Sequence, residues 1–329
     1  MGFYLPHFHM QLPDLLKQAI EEEISHRSLQ AISSASSSLS ERYKKGVSDD
    51  PFILSSQDRL AYILSRMPAT FSAITRVLTE LQNRIPDFQP LSFLDLGAGP
   101  GTGLWAVSEF YPQIQGFDAW EYDQGFIDLG KKLTRAHSSL MNVRWERRNF
   151  EIDRDIPSAD LMLLSYSIGE IAEKYWDPFL QKVWQTVQST LVIIEPGTPA
   201  GYARIIKIRD LLLSQGAHLV APCPHQGKCP LQGGDWCHFF SRVERSSLHR
   251  KVKNAVLNYE DEKFSYLIFS KEKQVHSFSS RIVRHPQILK GHLKLSLCDQ
   301  KGEIQNVTFS KKDNQIYKLT KKMDWGDCF

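Results

Sequence analysis

Two sets of residues in this chain have types and spacings that could do chemistry. The first is the run Asp95-Leu96-Gly97-Ala98-Gly99-Pro100-Gly101-Thr102-Gly103, with glycine at every second position from 97 to 103. Glycines at a strand-to-helix turn let a ligand approach the backbone closely and aim the N–H groups of the next helix at anionic atoms. A phosphate-gripping P-loop needs Lys and Ser or Thr after the last glycine. Leu104 and Trp105 stand there, so nucleotide hydrolysis is disfavoured. The dinucleotide pattern G-x-G-x-x-G fails from Gly97 or Gly99, because Thr102 and Leu104 occupy the third position; from Gly101 only its relaxed form fits, too far from the strand. The second set is five cysteines, at 223, 229, 237, 298 and 328. Three fall in APCPHQGKCPLQGGDWCHF, a segment rich in Pro and Gly and too poor in apolar residues to pack on its own. In a chain that opens without a secretion signal, disulfides are disfavoured and metal ligation gains weight. The wide spacing is not the CxxC pair of a zinc ribbon. Thiolates suit zinc or an iron–sulfur cluster, and four complete either site. Cys298, in the strand-like KLSLC, is the expected fourth ligand, with His225 and His238 as substitutes. Cys328, second from the end, is expected to be frayed and free. The competing reading is a set of inert buried thiols.

These residues need a scaffold. With 329 residues, 42% hydrophobic and 23% charged, the chain can bury a substantial core, which excludes disorder and coiled coil. No apolar run reaches the ~18 residues of a membrane span. Residues 1–88 read as an N-terminal helical region: Leu60, Ile63, Leu64 and Met67, then Phe71, Ile74, Leu78 and Leu81, recur at helical spacing around a break at Pro68. The serine-rich stretch 33–42 reads equally as linker or loosely packed helix. From Leu91, short apolar runs alternate with helical segments, which predicts an α/β domain over 89–272 with a parallel sheet covered on both faces. This domain includes the cysteine-rich segment 221–240 and a basic helix over 241–258. Residues 273–329 read as a small C-terminal β-rich appendage.

Charge is uneven. Residues 241–329 hold 18 Lys+Arg against 10 Asp+Glu, and residues 1–240 hold 22 against 27, although the net charge is only +3. Arg242, Arg245, Arg250, Lys251 and Lys253 form the densest basic stretch, and such a stretch suits either a polyanion or a solvated helix face. At the end of the predicted fourth strand stand Ser165, Tyr166, Ser167 and Ile168, so the [DN]-P-P-[FYW] motif of adenine amino-methyltransferases is absent. No cysteine is near to serve a covalent route. Tyr166, Glu170 and Glu195 are the polar candidates to face a substrate, each equally readable as structural.

The acid before the glycine loop, the alternate glycines and the acid closing the second strand resemble motif I of the Rossmann-like S-adenosylmethionine methyltransferases. The resemblance implies that Asp95 and the backbone of Gly97, Gly99 and Gly101 cradle the cofactor, that Glu121 (or Asp123, if the strand ends later) takes the ribose hydroxyls, and that Asn149 and Phe150 lie by the adenine. Further segments, AYILSRMPATFSA, SYSIGEI, IIEPGTPAGY, APCPHQGKCPL, DWCHFFSRVERS, DEKFSYLIFSK and KGHLKLSLC, are similar in order to those of the methyltransferase-like assembly factors of the small ribosomal subunit, best known from mitochondria. That resemblance covers Leu39 to Asp327. It implies a [4Fe–4S] cluster on Cys223, Cys229, Cys237 and Cys298, with zinc as the alternative, association with the small subunit or its precursor near the rRNA through the basic stretch, and a possible rRNA methyltransferase activity. The expectation is a monomer that does not enter membranes, in a bacterial cytoplasm since no transit peptide is read, although the family relatives are mitochondrial. The reading from another class is a small-molecule or protein methyltransferase with a structural zinc site and no ribosome association.

Overall fold

The computed structural model describes residues 11–45, 53–231, 234–253, 255–274 and 278–329. Its centre is one sheet. The strands β1 (Ser92–Leu96), β2 (Gly116–Glu121), β3 (Arg144–Arg147), β4 (Ala159–Ser165) and β5 (Val187–Pro196) run parallel in the order β3-β2-β1-β4-β5. Beyond β5, the antiparallel β8 (Tyr259–Ser270) separates it from β6 (His218–Ala221). Strands such as Leu191-Val192-Ile193-Ile194 are apolar at every position because both faces are covered. Val192 and Ile194 enter one core, against α4 (Met67–Arg84), α5 (Thr102–Phe110) and α6 (Gln124–Thr134), whereas Leu191 and Ile193 enter the other, against α7 (Trp176–Thr186) and α8 (Pro199–Ser214). The strand order reverses between β1 and β4. In open α/β sheets the ligand crevice opens at such a switch point, beyond the carboxyl ends of the strands.

Helices α1 (Asp14–Ile24), α2 (Leu29–Lys45) and α3 (Ser56–Ser65) join α4 on the first face. The break expected at Pro68 is there: α3 ends at Ser65, and Pro68 sits in the first turn of α4, where its missing N–H costs nothing. The serine-rich stretch is helix, not linker. It buries Ile32, Ser36 and Leu39, and its small side chains permit close contacts such as Ser36 Oγ to Ser65 Oγ at 3.3 Å. Among the described residues, no helix is long and apolar enough to cross a membrane.

The basic helix expected over 241–258 is a correction. Residues Phe239–Glu244 form strand β7, antiparallel to β8, and the helix α9 is only Ser247–Lys253. The alternation of buried Phe239 and Val243 with exposed Arg242 and Glu244 is the strand period, and Arg242 sits opposite Asp261, to which it donates at 2.8 Å.

Four short strands, β9 (Ser280–Ile282), β10 (Gln287–Leu289), β11 (His292–Asp299) and β12 (Ile304–Ser310), make a second, antiparallel sheet, with α10 (Asn314–Thr320) after it. Leu293, Leu295 and Leu297 share a core with Ile282, Tyr317 and Met323. Cys298 therefore falls on the opposite face, toward the first sheet. Arg281 ties the two sheets: buried, it donates from Nη2 to Glu80 at 2.6 Å, from Nε to the Pro222 carbonyl at 2.8 Å and from Nη1 to the Gly326 carbonyl at 2.8 Å.

Candidate functional site

Gly97 and Gly101 carry φ of +84° and +90°, and the backbone N–H groups of Gly97 and Ala98 both donate to the Trp120 carbonyl, so the loop folds over the end of β2. A Cβ on Gly97 would lie 2.4 Å from Ser167 Cβ: the loops after β1 and β4 meet across the switch point. Asp95 is buried, accepts from the Leu104 N–H at the start of α5, and has no hydrogen-bond partner for Oδ2. Burial, and secondarily Glu121, pushes its pKa up to about 8. Glu121 is the last residue of β2, and Asp123 is the N-cap of α6. The Glu121 carboxylate accepts from the N–H groups of Gly99, Tyr122 and Asp123 at 2.8 Å each, and burial still raises its pKa. Phe150 stacks between Trp120 and Phe179 and lies 3.5 Å from the Gly97 Cβ position, so it walls the same crevice. Asn149 Oδ1 accepts from the Glu151 N–H at 2.9 Å.

The substrate-facing candidates separate. Tyr166 has φ +60°, rare for a residue with a side chain, and its hydroxyl donates to Glu262 at 3.1 Å, a carboxylate that Arg66 also grips. Glu195 is buried and held by Arg204 Nε at 2.6 Å. Glu170 stays open to solvent while lying deep among protein atoms; this confinement, with Glu121 and Glu195 nearby, raises its pKa to about 8. Sequence reasoning missed the roof of the crevice, α3. Arg59 clamps Asp123 through two bonds of 2.6 and 2.7 Å, and Tyr62, one turn on, reaches within 3.9 Å of the Gly99 Cβ position. The i, i+3 and i+7 placing of Arg59, Tyr62 and Arg66 on one helix face was the available signal.

Four cysteines meet at a second place. Cys223, Cys229, Cys237 and Cys298 all line one cavity of about 40 Å³, between α8, the loop after β6 and the second sheet. Tyr202 Oη lies 3.1 Å from Cys229 Sγ, and His225 Nε2 lies 3.6 Å from Cys298 Sγ. The Ser265 hydroxyl donates to the Cys237 carbonyl at 2.8 Å and fixes it on β8. Burial raises the Cys223, Cys237 and Cys298 thiols, Cys298 to about 12, and Cys237 is raised further by the other three sulfurs. Among the described residues, no three His, Cys, Asp or Glu side chains gather tightly enough to hold a single metal ion. Two buried arginines, 209 and 281, also line the cavity. Arg209 has a readable signal, a charge on the apolar stripe of Ile205, Ile208 and Leu212. His238 is engaged elsewhere, stacked on Trp236 and edge-on to Trp325. The expectation for Cys328 is corrected. It is buried, with Arg84 Nη2 2.6 Å from its sulfur, because the terminal residues pair with Ser280 and Arg281 around the Glu80 network.

The five basic candidates also divide. Arg242 pairs with Asp261, and Arg245 and Lys253 both pair with Glu260. Arg250 and Lys251 are exposed on α9, whose other side buries His249 and Val252.

Strand order, the antiparallel β8 and the glycine turn at the switch point define a Rossmann-like methyltransferase fold. The model of the Rsm22 family, described as mitochondrial small ribosomal subunit Rsm22, matches residues 56–329, and the chain belongs to that family. It is 24% identical to the human mitochondrial ribosome assembly protein METTL17, over 82% of this chain and 61% of that protein. To the mitochondrial ribosome assembly protein RSM22 of Saccharomyces cerevisiae it is 22% identical, over 82% of this chain and 66% of that one. The chain thus spans about three-fifths to two-thirds of the length of these relatives. Among solved structures, the N-methyltransferase NodS from Bradyrhizobium japonicum, in complex with S-adenosyl-L-homocysteine, aligns over 71% of this chain and 98% of that one, with 10% identity and a TM-score of 0.40.

Proposed function

We propose that the protein is a methyltransferase-like assembly factor that binds the maturing small ribosomal subunit near its rRNA, carrying S-adenosylmethionine in the crevice and a [4Fe–4S] cluster on Cys223, Cys229, Cys237 and Cys298. The observation that carries this reading is the convergence of four thiols, one of them 61 residues beyond its nearest partner in sequence, on one cavity. The donor set fits. A single zinc with sulfurs at about 2.3 Å would need all four within roughly 4 Å of one another. A cubane takes one thiolate per iron, and the four cysteines that line the cavity supply that number. The crevice suits the methyl donor: Gly99 meets nothing closer than Tyr62 Oη at 3.9 Å from its Cβ position, so its backbone can be approached, Glu121 is already oriented by three N–H groups to receive ribose hydroxyls, and Phe150 offers a flat wall. When bound, the donor would supply an electrophilic methyl group. The Tyr166 hydroxyl, engaged by Glu262, favours a binding role for it over transfer to rRNA.

In this reading the chain acts as a monomer in three parts, the helices α1 to α4, the methyltransferase-like domain from β1 to β8 and a C-terminal β module from β9 onward that the cluster staples to it. The relatives' names, both ribosome assembly proteins, support the partner. The test is anaerobic purification with iron, sulfide and zinc quantitation, then binding to small-subunit precursors with and without S-adenosylmethionine. Iron and sulfide in equal amounts with retention on the precursor is the expected result; zinc alone, or no retention, defeats it.

A further inference from the structure

Helix α8 presents two side chains to the thiol cavity that neither the cofactor crevice nor the four ligands account for. Tyr202 and Arg209 are seven residues apart, two helical turns, and therefore share a face. The Tyr202 hydroxyl lies 3.1 Å from Cys229 Sγ. Arg209 is only 1% exposed. Its Nη2 donates to the carbonyls of Gly227 and, at 3.4 Å, His225, both in the loop between Cys223 and Cys229, and its Nη1 bonds Asp210 at 3.1 Å. Its Nε has no acceptor. A buried N–H without an acceptor is costly, so its presence beside four sulfurs points to a sulfur acceptor. Arg281, which also lines the cavity, differs: all three of its nitrogens already donate to protein oxygens.

We propose that Tyr202 and Arg209 are positioning residues of the four-cysteine centre, donating hydrogen bonds to its thiolate sulfurs and thereby raising its reduction potential. The proposal rests on the iron–sulfur reading above. A donor or a positive charge at a ligand sulfur stabilises the state with more negative charge, which is the reduced one, so removing the donor moves the potential down. Tyr202 acts through a hydroxyl that phenylalanine lacks, while the ring that packs the helix is kept.

The experiment uses the full chain, reconstituted anaerobically, with iron and sulfide counted per chain and the midpoint potential measured by dithionite titration followed by visible absorbance and electron paramagnetic resonance. Tyr202→Phe is expected to keep its iron and to shift the ratio of reduced to oxidised centre about tenfold toward oxidised at fixed potential, about 59 mV for one electron. Arg209→Lys, which keeps the charge but loses Nε, is expected to move the same way. Should Arg209→Lys fail to fold, Tyr202→Phe still decides. A fully loaded Tyr202→Phe protein with the wild-type potential overturns the proposal and leaves the iron–sulfur reading standing. A wild-type chain holding zinc and no iron overturns both.

Discussion

Replacing Glu80 with glutamine tests how the two sheets are joined. Glu80 is 3% exposed, and its Oε1 receives Arg281 Nη2 at 2.6 Å and Arg84 Nε at 2.8 Å. Burial alone would raise its pKa, but the two guanidinium groups outweigh it and hold the carboxyl at about 2, against an ordinary 4.5. That difference corresponds to about 3 kcal/mol of stability at neutral pH. Removing one member of a buried ion pair costs about 3–5 kcal/mol by an independent route, because the partner charge is left uncompensated. The two figures agree. The folded-state pKa lies below the unfolded one, so this contribution is complete above about pH 4.5 and is lost as the pH falls toward 2. Urea unfolding of Glu80→Gln and wild type at pH 7 is expected to show a deficit of about 3 kcal/mol, shrinking between pH 4.5 and 2.5. Since Arg281 also holds the carbonyl preceding Cys223, the variant should lose iron faster to a chelator. A deficit below about 1 kcal/mol, or one that does not change with acid, would refute the reasoning.

Further outcomes are expected. Cys298→Ala should purify without stoichiometric iron while circular dichroism retains the main sheet; undiminished iron would remove this residue from the ligand set. Gly97→Ala puts a Cβ 2.4 Å from Ser167 in a residue at φ +84°, so it should cost about 1–2 kcal/mol and abolish the calorimetric signal for S-adenosylmethionine. Arg250→Ala with Lys251→Ala should weaken binding to small-subunit RNA and reduce the salt slope by about 2, without changing the melting temperature. Burial lowers His249 to about 4, below its unfolded value, so its contribution is present above pH 6.5 and is lost as the pH drops toward 4; His249→Gln should flatten that part of the acid stability profile.

The sheet and its glycine turn were legible because short apolar runs, broken by helical spacing and glycine, report directly on burial. Glu121 could be named because a strand end and an acid coincide. Asn149 was placed by analogy, and its local bond with the Glu151 N–H is invisible to pattern. Lys and Arg density says nothing about partners: Asp261 and Glu260, on the neighbouring strand β8, pair with three of the five basic side chains, Arg245 and Lys253 sharing the one carboxylate of Glu260. Cys328 was misjudged because position near an end predicts fraying only where no buried charge awaits, and Glu80 lies 248 residues away. Tyr202 and Arg209 carry no spacing signal relative to the cysteines, since helix α8 meets that loop only in three dimensions.

Three of the sulfurs lie within one fifteen-residue stretch, and the fourth follows on β11, itself registered between β9 and β12. A nascent polypeptide therefore exposes an incomplete thiol trio until the hairpin through Ser310 has been synthesised and paired. On the iron–sulfur reading, loading of the cluster would follow synthesis of that hairpin.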